Sequence, residues 1–138
     1  MSAPRFLLDT NICIFIRQNR YSSVTDRFGA LRPGDAAVSV ITYGELAYGA
    51  EKSQRREDAL NGLQTLIRFL PVLPLPEGGG RAYGLIRSQL ERQGNSISSN
   101  DLWIAAHALS AGLILVTNNE REFRRVPGLT IENWAVVP

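Results

Sequence analysis

The chain has 138 residues, of which 44% are hydrophobic and 20% are charged, and this composition is ordinary for a soluble globular protein that builds its own core. No apolar run approaches the roughly 18–20 residues that a membrane-spanning helix requires, and Asp9 interrupts the short apolar start, so we expect no membrane span, no signal peptide and a cytoplasmic protein. A single cysteine and a single histidine exclude an internal disulfide and leave no zinc-binding pattern.

Short apolar runs alternate with amphipathic stretches along the chain. The first run, Phe6–Leu8, predicts a buried strand that ends at Asp9, and Pro74 predicts that the third strand lies at an edge or an end of its sheet. Because strands alternate with helices, we expect one α/β domain over residues 1–138, with a mostly parallel sheet covered on both faces. The predicted strands cover 6–8, 36–41, 72–75, 112–116 and 129–134, and the predicted helices cover 12–17, 24–31, 42–52, 56–69, 81–92 and 101–111.

Three acids and one amide occupy positions where parallel sheets bind ligands, which is beyond the carboxyl ends of the strands. Asp9 directly follows the first strand, and Glu45 lies near the start of the helix after the second. Asp101 begins the alanine-rich helix, and Asn119 follows the strand predicted over 112–116. If these positions share one rim, the carboxylates repel one another, and this raises the pKa of at least one of them. A hard divalent cation, Mg²⁺ or Mn²⁺, is the natural occupant of such an oxygen-rich site and is able to orient an RNA phosphate.

The same acids have a second interpretation as helix caps. Asp9 is placed to cap the helix that begins near Ile12, and acids in a first helical turn interact favourably with the helix dipole. Three further patterns match a capping box, namely Thr42-x-x-Glu45, Ser98-x-x-Asp101 and Thr117-x-x-Glu120. Taken singly, Glu45 and Asp101 are better explained by capping, and only their convergence on one rim favours a metal site.

The distribution of charge suits an RNA partner without requiring one. When the three acids are assigned to a metal site, 10 of the 13 acidic side chains remain against 15 basic ones. This excess fits an anionic ligand, whose binding is largely phosphate neutralisation. The segment 121–125 either contacts the RNA backbone or is a solvated helical turn anchored by Phe123.

Two other features are interpreted as structural. Gly78–Gly80 precedes a helix but lacks the following lysine of a P-loop, so we expect a flexible helix entry there. His107 lies within the alanine-rich helix and has no second histidine or nearby cysteine as a partner. We therefore expect it to be a partly buried helix residue instead of a catalyst.

In combination, the motifs resemble those of one known family. They are Leu7-Leu8-Asp9-Thr10-Asn11, Ser39-Val40-Ile41-Thr42-Tyr43-Gly44-Glu45-Leu46, Asn100-Asp101-Leu102-Trp103-Ile104-Ala105-Ala106-His107, Val116-Thr117-Asn118-Asn119-x-x-x-Phe123 and Gly128-Leu129-x-Ile131-Glu132-Asn133-Trp134. In this order and spacing they resemble, over nearly the whole chain, the VapC-type toxins of the PIN-domain ribonucleases. The resemblance implies a three-layer α/β/α fold with a mostly parallel central sheet, and cleavage of RNA with Mg²⁺ or Mn²⁺.

The resemblance also implies roles for individual residues. Asp9, Glu45 and Asp101 fall on the acidic positions of the family. Asp9 and Asp101 correspond to its firmest metal ligands, and Glu45 to an acid that binds the metal directly or through water and helps to position the nucleophile. Asn11 and Thr117 resemble the polar residues that brace those acids.

Asn119 is a departure from the family pattern. Many members carry an acid at this position, so the fourth ligand position is neutral here, although an amide is still able to coordinate an ion or hydrogen-bond a water. The expected partners are the RNA substrate and a cognate VapB-type antitoxin, whose C-terminal segment wraps the toxin in similar proteins. Such proteins also commonly form homodimers and toxin–antitoxin hetero-oligomers.

Two alternatives to the nuclease are kept. A phosphohydrolase with Asp9 as a covalent nucleophile would carry a second aspartate two residues later, where this chain has Asn11. A catalytically silent module would use the acids as helix caps and its basic surface to hold RNA or protein. Metal titration distinguishes the nuclease from the silent module, because a chelator should abolish the activity of the nuclease and the module has no activity to lose.

Overall fold

The computed structural model describes residues 3–136, so residues 1, 2, 137 and 138 of the predicted domain lie outside the described part. The alternation of strands and helices predicted from the sequence is confirmed. The elements are β1 (Phe6–Leu8), α1 (Thr10–Gln18), α2 (Ser22–Gly29), β2 (Ala36–Ser39), α3 (Val40–Glu51), α4 (Arg56–Phe69), β3 (Val72–Leu73), α5 (Gly79–Arg92), α6 (Ser99–Ala111), β4 (Ile114–Val116), α7 (Glu120–Phe123) and β5 (Ile131–Glu132).

The strands form one sheet in the order β3-β2-β1-β4-β5, in which every pair of neighbours is parallel. β1 lies at the centre, where Leu7 is paired with Ala37 of β2 and with Leu115 of β4. The chain proceeds outward from β1 through β2 to β3 and then crosses to the other side for β4 and β5. The strand order therefore switches between β1 and β4, and in open parallel sheets this is the place where ligands bind.

Helices cover both faces of the sheet. Alternate residues of a strand point to opposite faces, and in β1 this places Phe6 and Leu8 in one core and Leu7 in the other. The first core includes buried residues of α1 to α4, such as Leu63, and the second includes those of α5 to α7, such as Leu90. The predicted three-layer α/β/α architecture is confirmed.

Helix α3 begins earlier than the sequence predicts. The hydroxyl oxygen of Ser39 accepts a hydrogen bond from the backbone N–H of Ile41 at 3.1 Å and so caps the helix, which makes Val40 its first residue. Thr42 lies inside the first turn, where its buried hydroxyl has no hydrogen-bond partner among residues 3–136. The predicted start at Thr42 and its capping box are therefore wrong, and Glu45 falls in the second turn of α3.

Other boundaries shift by a few residues. Helix α5 begins at Gly79, two residues before its predicted start, and the backbone N–H of Gly79 donates to the carbonyl of Pro76 at 2.8 Å. Pro74 directly follows β3 at the edge of the sheet, so the predicted edge is confirmed while the predicted strand is too long. The last strand keeps only the middle of its predicted range. None of the helices within residues 3–136 has both the length and the apolarity needed to cross a bilayer.

Candidate metal centre

Asp9 lies at the carboxyl end of the central strand and is almost fully buried. Its Oδ1 accepts a hydrogen bond from the backbone N–H of Ile12 at 3.0 Å and caps α1, as the second interpretation predicted. Its Oδ2 accepts a hydrogen bond from the hydroxyl of Thr117, which directly follows β4. The two bonds hold the carboxylate at the switch between β1 and β4, so Asp9 caps a helix and also lies in the expected ligand site.

The pKa of Asp9 reflects its burial, its hydrogen bonds and the charges of the two other predicted acids. The pKa of Asp9 is raised from 3.8 to about 6. Burial of the carboxylate is the largest cause, the hydrogen bonds from Thr117 and Ile12 oppose it, and the charges of Asp101 and Glu45 add to it. The charges of Asp101 and Glu45 therefore act on Asp9, as convergence on one rim would require, and the assignment of all three acids to one site stays a prediction.

Glu45 is held by residues of two other helices. Its Oε1 accepts a hydrogen bond of 2.6 Å from the hydroxyl of Thr10, in the first turn of α1. Its Oε2 accepts one of 3.3 Å from the side-chain amide of Asn100, in the first turn of α6. Neither partner was assigned this role from the sequence, since both contacts join segments that are far apart along the chain.

The backbone of Asp101 takes part in the N-cap of α6, and its carboxylate is repelled by neighbouring acids. Its backbone N–H donates to the hydroxyl oxygen of Ser98 at 3.3 Å, so the capping role predicted for Ser98 is confirmed. The pKa of Asp101 is raised, chiefly by partial burial, against a contact with the Ser98 hydroxyl that lowers it. The charges of Glu45 and Glu122 raise it further. Asp101 therefore belongs to the same acidic group as Glu45.

Glu122 is an acid of this region that sequence reasoning did not single out. It lies in α7, where it forms an ion pair of 3.5 Å with Arg125, and its charge acts on Asp101. Phe123 beside it is buried in the core, so the predicted anchoring of this turn is confirmed. The sequence feature that could have indicated Glu122 is its position in the short helix that follows β4, whose carboxyl end lies at the same rim as Asp9.

The three predicted supporting residues, Asn11, Thr117 and Asn119, differ in their hydrogen bonds. Thr117 is fully buried and bonds both to Asp9 and to the backbone N–H of Asn119, at 2.9 Å for the latter. The predicted capping box of Thr117 with Glu120 is wrong, because α7 begins after Asn119 and receives no side-chain cap. Asn11 is exposed, and its amide donates at 3.4 Å to Oδ1 of Asn118.

His107 is more deeply buried than predicted. Only 1% of its surface is exposed, and its Nδ1 has no hydrogen-bond partner within residues 3–136. Burial lowers its pKa, which favours the neutral ring. The expectation of a helix residue without a catalytic neighbourhood agrees with this position in the core of α6.

Comparisons with known proteins identify the family. The family model of the PIN domain matches residues 6–129. The chain is 46% identical over 131 residues to the tRNA(fMet)-specific endonuclease VapC of Shigella flexneri, an alignment that covers 95% of this chain and 98% of that protein. The chain belongs to the VapC toxin ribonucleases of the PIN-domain family. With Ribonuclease VapC2 of Haemophilus influenzae it shares 42% identity over 130 residues, which cover 94% of this chain and 98% of the relative.

Solved structures of VapBC complexes have the same fold. One is the DNA-bound VapBC from Salmonella typhimurium, with a TM-score of 0.89, 43% identity, and coverage of 95% of this chain and 98% of that one. Another is VapBC2 from Rickettsia felis bound to a fragment of promoter DNA, with a TM-score of 0.87, 35% identity, and coverage of 94% and 98%. The predicted fold and the predicted function, a ribonuclease of a VapBC toxin–antitoxin system, are confirmed.

The donor atoms of this VapC-family site suit a hard divalent cation. Within residues 3–136, no three His, Cys, Asp or Glu side chains are drawn close enough together to enclose an ion by themselves. Mg²⁺ does not need such a cage, because it is usually held by one or two carboxylates and keeps several waters. Burial is the main cause of the raised pKa values of Asp9 and Asp101, and neighbouring acids raise both further, so a bound cation would favour their charged forms. The residues present therefore fit Mg²⁺ or Mn²⁺.

Proposed function

We propose that this VapC-family ribonuclease depends on Mg²⁺ or Mn²⁺ and cleaves RNA at the site of Asp9, Glu45 and Asp101, with residues 1–138 working as one domain. The observation that carries the proposal is the buried carboxylate of Asp9, which is held by Thr117 and lies near enough to Glu45 and Asp101 for their charges to raise its pKa. Burying a carboxylate beside other acids is costly for a protein unless the group of acids serves a ligand. Its position at the switch in strand order adds the geometric argument.

Each side chain has a distinct part in this proposal. Asp9 and Asp101 hold the ion, which when bound stabilises the charge on the cleaved phosphodiester and lowers the pKa of an attacking water. Glu45, oriented by Thr10 and Asn100, positions that water. The hydroxyl of Thr117 fixes the Asp9 carboxylate.

Three polar or acidic neighbours complete the proposed site. Asn11 and Asn119 belong to it as supporting polar residues, with Asn119 attached to the rim through its backbone bond to Thr117. Glu122 adds negative charge next to Asp101. The two amides are able to hydrogen-bond water or phosphate, and the carboxylate is able to accept from water.

A specific RNA is favoured by the relatives. The proteins of Shigella flexneri and Salmonella typhimurium, at 46% and 43% identity, are tRNA(fMet)-specific endonucleases. We infer that this chain also cleaves the initiator tRNA. Because that RNA is cytoplasmic, the toxin acts in the cytoplasm.

An antitoxin partner is favoured by two adjoining cavities on α1, α2 and α4. They have volumes of about 330 and 440 Å³ and share Phe28 and Phe69. Phe69 is 51% exposed, which is unusual for so large an apolar side chain. We infer that the cognate VapB-type antitoxin covers this groove, since solved relatives are VapBC complexes. We further propose that the toxin forms a homodimer and, with the antitoxin, a hetero-oligomer.

The decisive experiment measures cleavage of a cellular RNA pool by the purified, antitoxin-free toxin. Discrete products are expected with Mg²⁺ or Mn²⁺, and none with excess EDTA or with Asp9→Asn. Asp26→Asn is the matched control, since it neutralises an exposed aspartate of α2 and leaves cleavage unchanged. Absence of cleavage by folded toxin with either ion would instead support the silent binding module. Cleavage that survives EDTA would overturn the metal proposal.

The antitoxin groove is tested by Phe69→Glu, which places a charge on an exposed apolar position without disturbing the core. The variant is expected to cleave RNA normally but to escape inhibition by co-expressed antitoxin. Gln64→Glu adds the same charge to α4 outside the groove and should remain inhibited. Equal inhibition of both variants would contradict the assignment.

A further inference from the structure

A groove of about 610 Å³ opens on α3 directly beside the candidate metal centre. Glu45 and Thr10 line it at the end near the acids, and Tyr48 and Lys52 line it farther along the helix. Glu45, Tyr48 and Lys52 recur at the spacing of one helix face, and Lys52 lies about 10 Å beyond Glu45 along the helix axis. The groove is thus continuous with the site at which the phosphodiester is cut.

We call this cavity the α3 groove. Part of its floor is formed by glycines, which have no side chains to fill it. Gly44 and Gly49 lie along the same stretch of α3. A Cβ added at either position would have no neighbour within 4 Å outside the backbone of its own helix. The backbone of α3 is therefore accessible to a ligand at both glycines, and Tyr48 lies between them in the sequence.

Among the large apolar side chains of residues 3–136, Tyr48 is the most exposed, at 66% of its surface. The ammonium group of Lys52 lies over its ring, 4.7 Å from the centroid. An exposed aromatic ring with a cation beside it is the arrangement by which proteins bind single-stranded nucleic acids, through base stacking and phosphate neutralisation.

Within residues 3–136, Lys52 has no acidic partner, and its charge contacts only the Tyr48 ring. It takes part in none of the ion pairs there, whereas its neighbour Glu51 is paired with Arg56 at 2.7 Å. Lys52 is also the one lysine of the chain. Its charge is therefore available to an anionic ligand, and its amine can be followed chemically.

We propose that the α3 groove binds the single-stranded segment of RNA that continues from the cleaved phosphodiester, with Tyr48 stacking on an unpaired base and Lys52 contacting a phosphate. This rests on the proposed function, since it takes RNA as the ligand of the adjoining site. RNA is favoured over a protein occupant by continuity with the acids, by the unpaired cation and by the open backbone floor. Asn100, which lines the same groove, is placed to meet the nucleotide nearest the cut.

Binding is measured first, because it does not require cleavage. The full-length toxin carrying Asp9→Asn is titrated against a fluorescein-labelled oligouridylate at several KCl concentrations. Tyr48→Ala should weaken binding about tenfold, equivalent to about 1.4 kcal/mol and within the range for one stacked base. Tyr48→Phe, which keeps the ring, should bind as the parent does.

Salt dependence isolates the contribution of Lys52. Lys52→Gln should reduce the slope of log K against log salt by about 0.7, the value for one phosphate contact on a single strand. Arg68→Gln removes a charge from α4 outside the groove and should leave the slope unchanged. Bound oligouridylate should also slow acetylation of Lys52 by an amine-reactive ester, with the N-terminal amine as the internal reference.

Cleavage kinetics then connect the groove to turnover. In toxin with an intact acid site, Tyr48→Ala should raise KM with little change in kcat. If wild-type toxin cleaves nothing but the binding effects hold, the proposed function fails and the groove stands. Unchanged binding in Tyr48→Ala and Lys52→Gln would overturn the groove proposal. A change of molar mass by light scattering in Tyr48→Ala would also overturn it, because the face would then be an interface between two copies of the chain.

Discussion

The hydroxyl of Thr117 donates a hydrogen bond to Oδ2 of Asp9 across 108 residues of sequence. Both residues follow directly after parallel neighbours, β1 and β4, at the place where the strand order switches. The bond favours the charged form of a carboxylate that burial and two neighbouring acids push towards protonation. Thr117 thus keeps Asp9 available to a cation near neutral pH.

Thr117→Val tests this role. The substitution keeps the branched shape but removes the donor, so the pKa of Asp9 should rise above its value of about 6. Metal binding requires the deprotonated acid, and the pH below which Mg²⁺ affinity declines should therefore move upward. Calorimetric titration with Mg²⁺ between pH 5 and 8 is the measurement. Thr117→Ser retains the hydroxyl and should behave as the wild type, and an unchanged pH threshold in Thr117→Val would contradict the role.

Asp9→Asn should stabilise the metal-free protein while abolishing cleavage. Because the pKa of Asp9 is higher in the folded state than its ordinary 3.8, folding binds a proton between pH 3.8 and about 6, and stability falls as the pH rises through that window. The difference corresponds to about 3 kcal/mol at neutral pH. Loss of a charged helix cap offsets part of it, so a gain of about 1–3 kcal/mol at pH 7 is expected.

Urea unfolding of both proteins in EDTA checks this expectation. The two stabilities should approach each other below pH 4, where Asp9 is protonated, and Mg²⁺ should stabilise only the wild type. A variant that is less stable than the wild type at pH 7 would show that the hydrogen bonds of the ionised carboxylate with Thr117 and Ile12 outweigh the cost of burying its charge.

The acids themselves could be predicted because their positions depend on local pattern. An acid directly after an apolar strand, as at Asp9, must lie at the rim of a parallel sheet, and Asp101 is marked by its capping serine. The predicted start of α3 was wrong because both Ser39 and Thr42 are residues that commonly cap helices. The choice between them depends on where β2 ends, which the sequence does not specify.

The partners of the acids could not be predicted, since they come from long-range contacts. Thr10 and Asn100 reach Glu45 only because α1 and α6 pack beside α3. Glu122 could not be predicted because its effect on the pKa of Asp101 depends on the orientation of the short helix α7 relative to β4. Such side-chain placement is a property of the packed fold.

Thr10→Val should impair turnover more than stability. It removes the donor of the 2.6 Å bond that orients Glu45, and a bond to a charged group is worth about 1.5–3 kcal/mol, so kcat should fall at least about tenfold. Thr10→Ser keeps the hydroxyl and should restore kcat. Steady-state cleavage with saturating Mg²⁺ is the measurement, with urea unfolding as the check on stability. A normal kcat in Thr10→Val would remove Thr10 from the positioning of Glu45.

Glu122→Gln should weaken metal binding because it reduces the negative potential beside Asp101. Removing the charge of Glu122 lowers the pKa of Asp101 but also reduces the negative potential that attracts a cation, and the second effect dominates for a divalent ion. We expect about a tenfold loss of Mn²⁺ affinity, the lower end of the range for residues that support metal ligands.

Glu120→Gln provides the matched comparison, because it neutralises an acid of the same short helix. Glu120 is engaged by Arg124 at 2.8 Å and by the amide of Asn133 at 3.0 Å, and its charge is already compensated. Its substitution should lower the unfolding free energy slightly and leave Mn²⁺ affinity unchanged. If both variants lose affinity equally, the two acids act through the overall potential of α7, and Glu122 has no particular place beside Asp101. A loss confined to Glu122→Gln would instead assign it to the metal centre as a positioning acid.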